Sequence, residues 1–514
     1  MNQAYGLSAV AIVSVATLLL GVWGVRLSRT TSDFFVASRS VGPGLNASAI
    51  SGEYISAASF LGVAGLVLAF GADMLWYPIG WTAGYLVLLV LVAAPLRRSG
   101  AYTLPDFAEA RLGSRPVRLV SSGLVVAIGW LYLIPQFQGA GLILGPLTGS
   151  RPWLAGAVVG MVVLANVLYG GMRSITLVQA FQYWLKLTAL LVPLIFLMMV
   201  WLNDGFPSPS STPVIGGISG HDWMEPMATV SAHPVYATWS LVVATCLGTM
   251  GLPHVVVRFY TNPDGRAARR TTVVVLALLG FFYLIPPLYG SLGRIYTPDL
   301  IAAGRADAVV LELPMRLIGG VGGSLLAALM IGGAFAAFLA TSSGLTIAVA
   351  GVLSQDVISG RIHPIRRFRI GAMAAVVVPF LLALGLNEVS VARSVGLAFA
   401  VAASTFCPLL VLGIWWRGLT DVGALAGLFI GGWTSLAGVA NSLVGSTLHG
   451  WLADLLGQPA LWTVPLSFAT MVVGSLLTKS RVSPSVNRFM VRLHTPETLL
   501  LDRGPSTNWA ARRG

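Results

Sequence analysis

The sequence predicts an all-α polytopic membrane protein. Hydrophobic residues make up 56% of the chain and charged residues only 10%, and the mean hydropathy is +0.82. Soluble domains have roughly 45–50% apolar and about 25% charged residues. Several apolar runs exceed about 18 residues, long enough to span a bilayer as a helix. The runs are continuous and do not alternate with polar residues, so a transmembrane β-barrel is excluded.

The apolar runs and the polar loops between them predict about 13 transmembrane helices. The run at 319–353 would be about 50 Å long, more than the ~30 Å hydrocarbon core. We predict one long or tilted helix there, because two spans would invert every loop that follows. The predicted helices lie near 6–25, 45–70, 76–95, 119–144, 153–171, 176–201, 236–257, 272–290, 319–353, 371–386, 393–413, 421–443 and 460–478.

The cations lie in alternate loops and predict the orientation. Lys and Arg concentrate in cytoplasmic loops of membrane proteins. Here they cluster at 97–118, 258–270, 361–369 and after 479, whereas the loop 203–234 has none. We predict a multi-pass plasma-membrane protein with its N-terminus outside and residues 479–514 as a basic cytoplasmic tail. No Lys or Arg precedes the first apolar run, so we expect a retained helix and not a signal peptide.

Composition also excludes several function classes. The net charge of +13 comes from arginines spread over loops, which disfavours nucleic acid as a partner. No soluble domain and no Walker A pattern are present, so we expect neither an enzyme nor direct coupling to ATP, and no cofactor. Cys246 and Cys407 fall inside apolar runs and are expected to be small core residues, not a disulfide or metal site.

The segment 32–65 carries more polarity than membrane spanning requires. Glycines weaken its helix, serines supply hydroxyl groups, and Glu53 is a carboxylate inside an apolar run. A carboxylate in that position costs about 2.5–3.5 kcal/mol on insertion scales and usually faces protein or water. We interpret Glu53 as a functional group, with a buried structural pair as the alternative.

Three further segments share this character. The first places Gln136 beside a proline. The second has two glycines and a proline, at 248, 251 and 253, that would open a helix next to His254. The third carries hydroxyl groups at 341–343. Each has a structural alternative: Gln136 as a bond between helices, His254 at the cytoplasmic interface, and the hydroxyl groups bonded to their own helix. Lys186 is expected to extend toward the cytoplasm, and Trp76, Tyr77 and Trp81 to form an interfacial belt.

The segments around Glu53 and around 248–254 are the best candidates for broken helices, and they are five helices apart. Interrupted helices at corresponding positions of two halves indicate a secondary transporter with inverted repeats and a site near the midplane. Unwound carbonyl groups can bind a hard cation such as Na⁺, and half-helix N-termini favour an anionic group.

At these residues the chain resembles the sodium:solute symporter family, and within it the cation/acetate symporter branch. The matching motifs follow the family's order from about 30 to about 430. They are DFFVASR (33–39), GEYISAASFLG (52–62), GAYTLPD (100–106), YGGM (169–172), VQ (178–179), GLPHVVVRF (251–259) and VGLAFAVAAS (395–404).

The resemblance implies a leucine-transporter-like core of five plus five helices at about 45–413, within one transmembrane domain at 1–478. It also implies a sodium site built from carbonyl groups of Gly52, Ile55 and Ala337 and from hydroxyl groups at 340 and 341. Position 340 is Ala340, so only Thr341 has the expected hydroxyl group. The implied substrate site lies near Tyr54, Ser56, Gln136 and Gly251.

We therefore predict a symporter that takes up a short monocarboxylate such as acetate together with Na⁺, or with H⁺, by alternating access. Glu53 and His254 are candidates for a part in coupling. Proline, another amino acid, pantothenate or a longer carboxylate remain alternative substrates, and a membrane solute sensor is the alternative function.

Overall fold

The computed structural model describes residues 3–25, 40–149, 151–227, 233–358, 363–386, 391–444, 448–497 and 499. These residues form helices and loops, with no strand among them, as predicted. Outside the described residues lie the motif at 33–39, Arg361 and, in the tail, residues 498 and 500–514.

The principal helices match the predicted segments in order. We number them α1 to α13, and the two broken ones have halves a and b. They are α1 Gln3–Val25; α2a Pro43–Tyr54; α2b Ala58–Gly62 with Val63–Phe70; α3 Trp76–Leu91; α4 Arg115–Thr148; α5 and α6 within Pro152–Asn203; α7a Pro234–Gly248; α7b Pro253–Phe259; α8 Gly265–Tyr296; α9 Gly320–Val352; α10 Pro364–Gly385; α11 Val391–Trp415; α12 Asp421–Val444; and α13 Ala460–Leu477.

Ten helices of the described residues are long and apolar enough to cross a membrane, or eleven with the bent pair α7a and α7b. Within this set, α2b and α3 form one continuous run from Ala58 to Leu91. The chain nevertheless turns at Gly71, where φ is 71°. The Tyr54 and Tyr85 rings are 4.8 Å apart, whereas a straight helix would separate these residues by about 46 Å. The chain therefore reverses direction, and α2 and α3 are separate spans.

A second reversal point divides Pro152–Asn203. Gly171 has φ 62° and ψ −177°, so two helices, 152–170 (α5) and 172–203 (α6), meet there. The prediction for the run at 319–353 is confirmed, because α9 continues unbroken from Gly320 to Val352.

Small residues bring α3 against α7a. A Cβ atom at Gly80 would lie 1.9 Å from the Thr245 hydroxyl, and one at Gly84 would lie 2.4 Å from the Thr249 hydroxyl. The sequence interval of four puts both glycines on one face of α3. This contact sets α3 beside the second broken helix, where the candidate site lies.

The beginning of the tail folds onto the bundle. Val486–His494 forms a helix whose Phe489 ring lies 6.0 Å from the Phe107 ring. Arg492 donates to the carbonyl of Arg98 at 3.1 Å. This part of the predicted tail is therefore a helix that packs against the bundle through its apolar face.

Candidate functional site

The first break lies at Ile55, between α2a and α2b. Ile55 has φ −70° and ψ 87°, outside the helical region, and helix resumes from Ala58. Gly52 precedes the break and touches α6: a Cβ atom there would lie 2.1 Å from the carbonyl oxygen of Gln179. The prediction of a broken second helix is confirmed, and Gly52 is required for its close packing on α6.

The second break lies at Leu252, between α7a and α7b. A short 3₁₀ turn leads to Leu252, whose backbone is extended, and the two halves bend by 45°. Gly251 packs against α11, where a Cβ atom would lie 2.5 Å from the Ala402 carbonyl oxygen. The second predicted break is therefore confirmed as well, and Gly251 is the point of close approach between α7 and α11.

Glu53 is held in a buried ion pair with Arg258 of α7b. The Arg258 Nε lies 2.7 Å from a Glu53 carboxylate oxygen, and both side chains are almost fully buried. Arg258 also donates to the Thr176 hydroxyl at 2.8 Å and to the Gln179 side-chain oxygen. Gly344 of α9 leaves room for the carboxylate, because a Cβ atom there would lie 1.9 Å from it. One network thus joins α2, α6, α7 and α9, and a role of Glu53 in coupling stays a prediction.

The expectation for Lys186 is wrong. Its side chain is 0% exposed and does not reach toward the cytoplasm. Its ammonium group donates to the carbonyl of Gly52 and, at 2.7 Å, to the carbonyl of Ile55. These two backbone carbonyls satisfy two of the three donors of the ammonium group.

The structure brings together Gly52, Ile55, Ala340 and Thr341 of the implied sodium site, and each of them already has an oxygen atom in a hydrogen bond. The carbonyls of Gly52 and Ile55 bind Lys186, and the Thr341 hydroxyl donates to the Glu53 carbonyl at 2.6 Å. Ala340 offers no hydroxyl, and its carbonyl accepts from the Gln179 side chain at 2.9 Å. Ala337 lies fully buried one turn earlier on α9.

Aromatic side chains surround the space beside the two breaks. The Phe399 ring of α11 is their common neighbour, with ring centroids at 6.2 Å from Tyr54, 5.9 Å from Trp81 and 6.1 Å from Tyr132. The Tyr54 hydroxyl also shares a 2.8 Å hydrogen bond with Thr249, next to the second break. We call Tyr54, Trp81, Tyr85, Tyr132 and Phe399 the aromatic group.

The prediction of an interfacial belt fails for two of its three residues. Tyr77 and Trp81 are buried, and only Trp76 is half-buried. Tyr77, Trp81 and Tyr85 follow one another at intervals of four residues, which places all three on the inward face of α3. This interval of four is the sequence signal that could have identified Trp81 and Tyr85 as site residues.

Several polar atoms in the aromatic group and near it have no partner among the described residues. They are the Trp81 indole N–H, the Tyr85 hydroxyl, the Gln136 amide and both ring nitrogens of His254. The His254 ring stacks on Tyr132 at 5.4 Å and is 1% exposed, so its predicted interfacial alternative is wrong. Ser56 lies in the break itself, where its carbonyl accepts from the backbone of Ser59 and Phe60.

The chain matches the model of the sodium:solute symporter family over residues 34–431. It is 31% identical over 524 residues to an uncharacterized symporter, YwcA of Bacillus subtilis (strain 168), with 96% of this chain and 99% of that protein covered.

Solved structures of transporters share the fold. A Na⁺-coupled sialic acid symporter in a substrate-bound outward-open state matches with a TM-score of 0.69 at 15% identity, over 92% of this chain and 98% of that one. MhsT in complex with L-phenylalanine matches with a TM-score of 0.53 at 16% identity, over 86% and 99%. Both have the leucine-transporter-like fold, so the predicted fold class is confirmed.

Proposed function

Because the chain belongs to the sodium:solute symporter family, we propose that it is a secondary symporter that takes up a short monocarboxylate, acetate foremost, with a cation. Family membership supports solute transport across a membrane and Na⁺ as the coupling ion. We place the protein in the plasma membrane with its N-terminus outside and the tail in the cytoplasm, from the arginine distribution. The transport core is taken as about 45–413.

The observation that carries the substrate proposal is the set of unpartnered polar groups beside the breaks. The Trp81 indole can only donate, and the Tyr85 hydroxyl is free to donate. A buried polar group without a partner costs about 1–3 kcal/mol. A carboxylate is an acceptor-only group with two oxygens, so it would satisfy several of these donors at once. We therefore place the substrate beside Tyr54, Ser56, Gln136 and Gly251, facing these donors.

The spacing of the aromatic group supports a small substrate. Neighbouring ring centroids are 4.8–6.2 Å apart, so these rings contact one another and leave no wide gap between them. A two- or three-carbon acid would displace these rings less than a larger solute would.

The charge distribution supports an acid over an amino acid. An amino acid brings an ammonium group as well as a carboxylate, and its cation needs a partner. Glu53, the carboxylate nearest in sequence to the first break, is already paired with Arg258. A monocarboxylate has no ammonium group, so it needs no carboxylate partner in the site.

Alternating access would use the two broken helices. The substrate bridges the breaks in α2 and α7, the coupling cation binds with it, and the core then rocks to open inward. A cation entering down 100 mV contributes about 2.3 kcal/mol per charge. Acetate carries one negative charge, so one-to-one symport is electrically silent and depends on the chemical gradient.

Uptake by proteoliposomes tests the proposal. Labelled acetate should accumulate, with competition by propionate but not by proline or pantothenate. Competition by proline alone would indicate the amino-acid alternative, and the absence of counterflow with every solute would favour a sensor. Replacing Na⁺ by K⁺, with and without a pH gradient, identifies the cation.

A matched pair of variants tests the placement. Tyr85→Phe removes one unpartnered hydroxyl and should raise the KM for acetate about tenfold or more, because hydrogen bonds to charged groups contribute about 1.5–3 kcal/mol. Tyr289→Phe is the control, since its hydroxyl donates to the Leu190 carbonyl at 2.7 Å. An unchanged KM in Tyr85→Phe would contradict the placement.

A further inference from the structure

Lys186 is the one lysine inside a membrane-spanning helix of this chain. Only two of the 31 cationic residues are lysines, and the other, Lys479, is exposed at the start of the tail. Lys186 lies on α6, and its ammonium group ends in the break of α2. An ionisable group in such a position is expected to have a function and a specific partner.

The partners of this ammonium group are backbone oxygens at the break. Gly52 and Ile55 lie on either side of Glu53 and Tyr54, and both of their carbonyls accept from the same nitrogen atom. Carbonyl oxygens released by an unwound turn are typical ligands of a coupling cation in transporters of this architecture. Lys186 thus places its side-chain nitrogen where such a cation would bind.

The other residues of the implied sodium site do not complete a site for a free ion. Ala340 has a methyl group where a hydroxyl would be needed. The Thr341 hydroxyl is directed at the Glu53 carbonyl, at 2.6 Å. Na⁺ binds hard oxygen ligands, and two of those expected here are held by an ammonium group.

The charges around the break also argue against a second cation. Glu53 is the only carboxylate of this network, and it is paired with Arg258 at 2.7 Å. Lys186 adds a further positive charge. A Na⁺ ion on the same two carbonyls would lie beside the ammonium group, where like charges at short range repel strongly. The two cations therefore exclude each other.

We propose that Lys186 is the resident cation of this site, and that its tethered ammonium group holds the break of α2 in place of Na⁺. This inference rests on the proposed transport function and deepens it. Na⁺ does not bind to the Gly52 and Ile55 carbonyls while Lys186 occupies them. Any dependence of transport on Na⁺ then arises at another place in the protein.

The test measures equilibrium binding of ²²Na⁺ to the purified full-length protein, without substrate. Each protein is measured with and without the added substitution Thr341→Ala. The difference in bound ²²Na⁺ is the Thr341-dependent part of binding, which reports on this site. Wild type and the control Lys479→Met should show none. Lys186→Met removes the ammonium group but keeps an unbranched side chain, and should acquire one Thr341-dependent site. Adding Ala340→Ser to Lys186→Met should lower the half-saturating Na⁺ concentration at least threefold.

Thr341-dependent binding in the wild type would overturn the proposal, as would its absence in a folded Lys186→Met protein. If Lys186→Met does not fold, Ala340→Ser alone decides the question. With Lys186 in place the added hydroxyl should create no Na⁺ site, and Thr341-dependent saturable binding in Ala340→Ser would refute the inference. Failure of acetate uptake would remove the proposed substrate but would leave these binding results unaffected.

Discussion

Removing the charge of Glu53 should destabilise the protein more than removing the charge of Arg258. The two side chains form a buried pair at 2.7 Å, and Lys186 adds a second cation at the neighbouring carbonyls. In Glu53→Gln two positive charges remain without a carboxylate. In Arg258→Gln the Glu53 carboxylate remains, and Lys186 partly compensates it.

The structure gives the expected size of each effect. Two unit charges about 4 Å apart attract by about 4 kcal/mol at an effective dielectric constant of about 20. Breaking a buried pair by removing one partner costs about 3–5 kcal/mol. We expect Arg258→Gln to lie at the lower end of that range and Glu53→Gln at or above its upper end. The double variant removes both charges and should be more stable than Glu53→Gln.

Unfolding free energies of the three variants and the wild type, measured in mixed micelles of SDS and a mild detergent, form a double-mutant cycle. The coupling energy should be about 3–4 kcal/mol. Arg258→Lys keeps a cation but loses the forked contacts to Thr176 and Gln179, so it should recover only part of the loss. A coupling energy below about 1 kcal/mol, typical of exposed pairs, would refute the reasoning. So would a larger loss in Arg258→Gln than in Glu53→Gln.

Two further predictions concern packing and pH. Gly344→Ala should abolish folding or transport, because its Cβ atom would lie 1.9 Å from the Glu53 carboxylate; Gly351→Ala, on the same helix with open space around it, is the control and should leave uptake unchanged. Burial raises the pKa of Asp307 to about 6 from 3.8, so its ionised form is disfavoured in the folded protein. Wild type should therefore lose thermal stability relative to Asp307→Asn as the pH rises from about 4 to about 6. A Tm difference that stays constant over this range would contradict the prediction.

Much of the fold could be predicted from local sequence patterns. Membrane spans are long apolar runs, and α9 was recognised as one helix from the run at 319–353. Both breaks were predicted as well, because glycine, proline and polar residues interrupt apolar runs at 52–56 and 248–254. Such signals are local, since each depends on residues within one helix.

Part of the candidate site could be predicted on the same basis. Gln136 and His254 stand out as polar residues in apolar surroundings, and the structure buries both: Gln136 lies one turn after Tyr132 on α4, and His254 stacks on Tyr132. Trp81 was misinterpreted as an interfacial residue, because an aromatic residue near a helix end is compatible with either the belt or the core. The alternatives differ only in which face of α3 is covered by neighbouring helices.

Local sequence patterns are enough to predict a multi-pass helical protein with two broken helices, because hydropathy and helix breaking act over a few turns. Which charges meet, in contrast, depends on how distant segments pack. Glu53 and Arg258 are 205 positions apart, and Lys186 is 131 positions from Ile55. Which partner neutralises a buried charge depends on how α2, α6 and α7 pack, since Coulomb energy is set by distance in space. Hence the lysine predicted to extend toward the cytoplasm is found with its side chain in the break of α2.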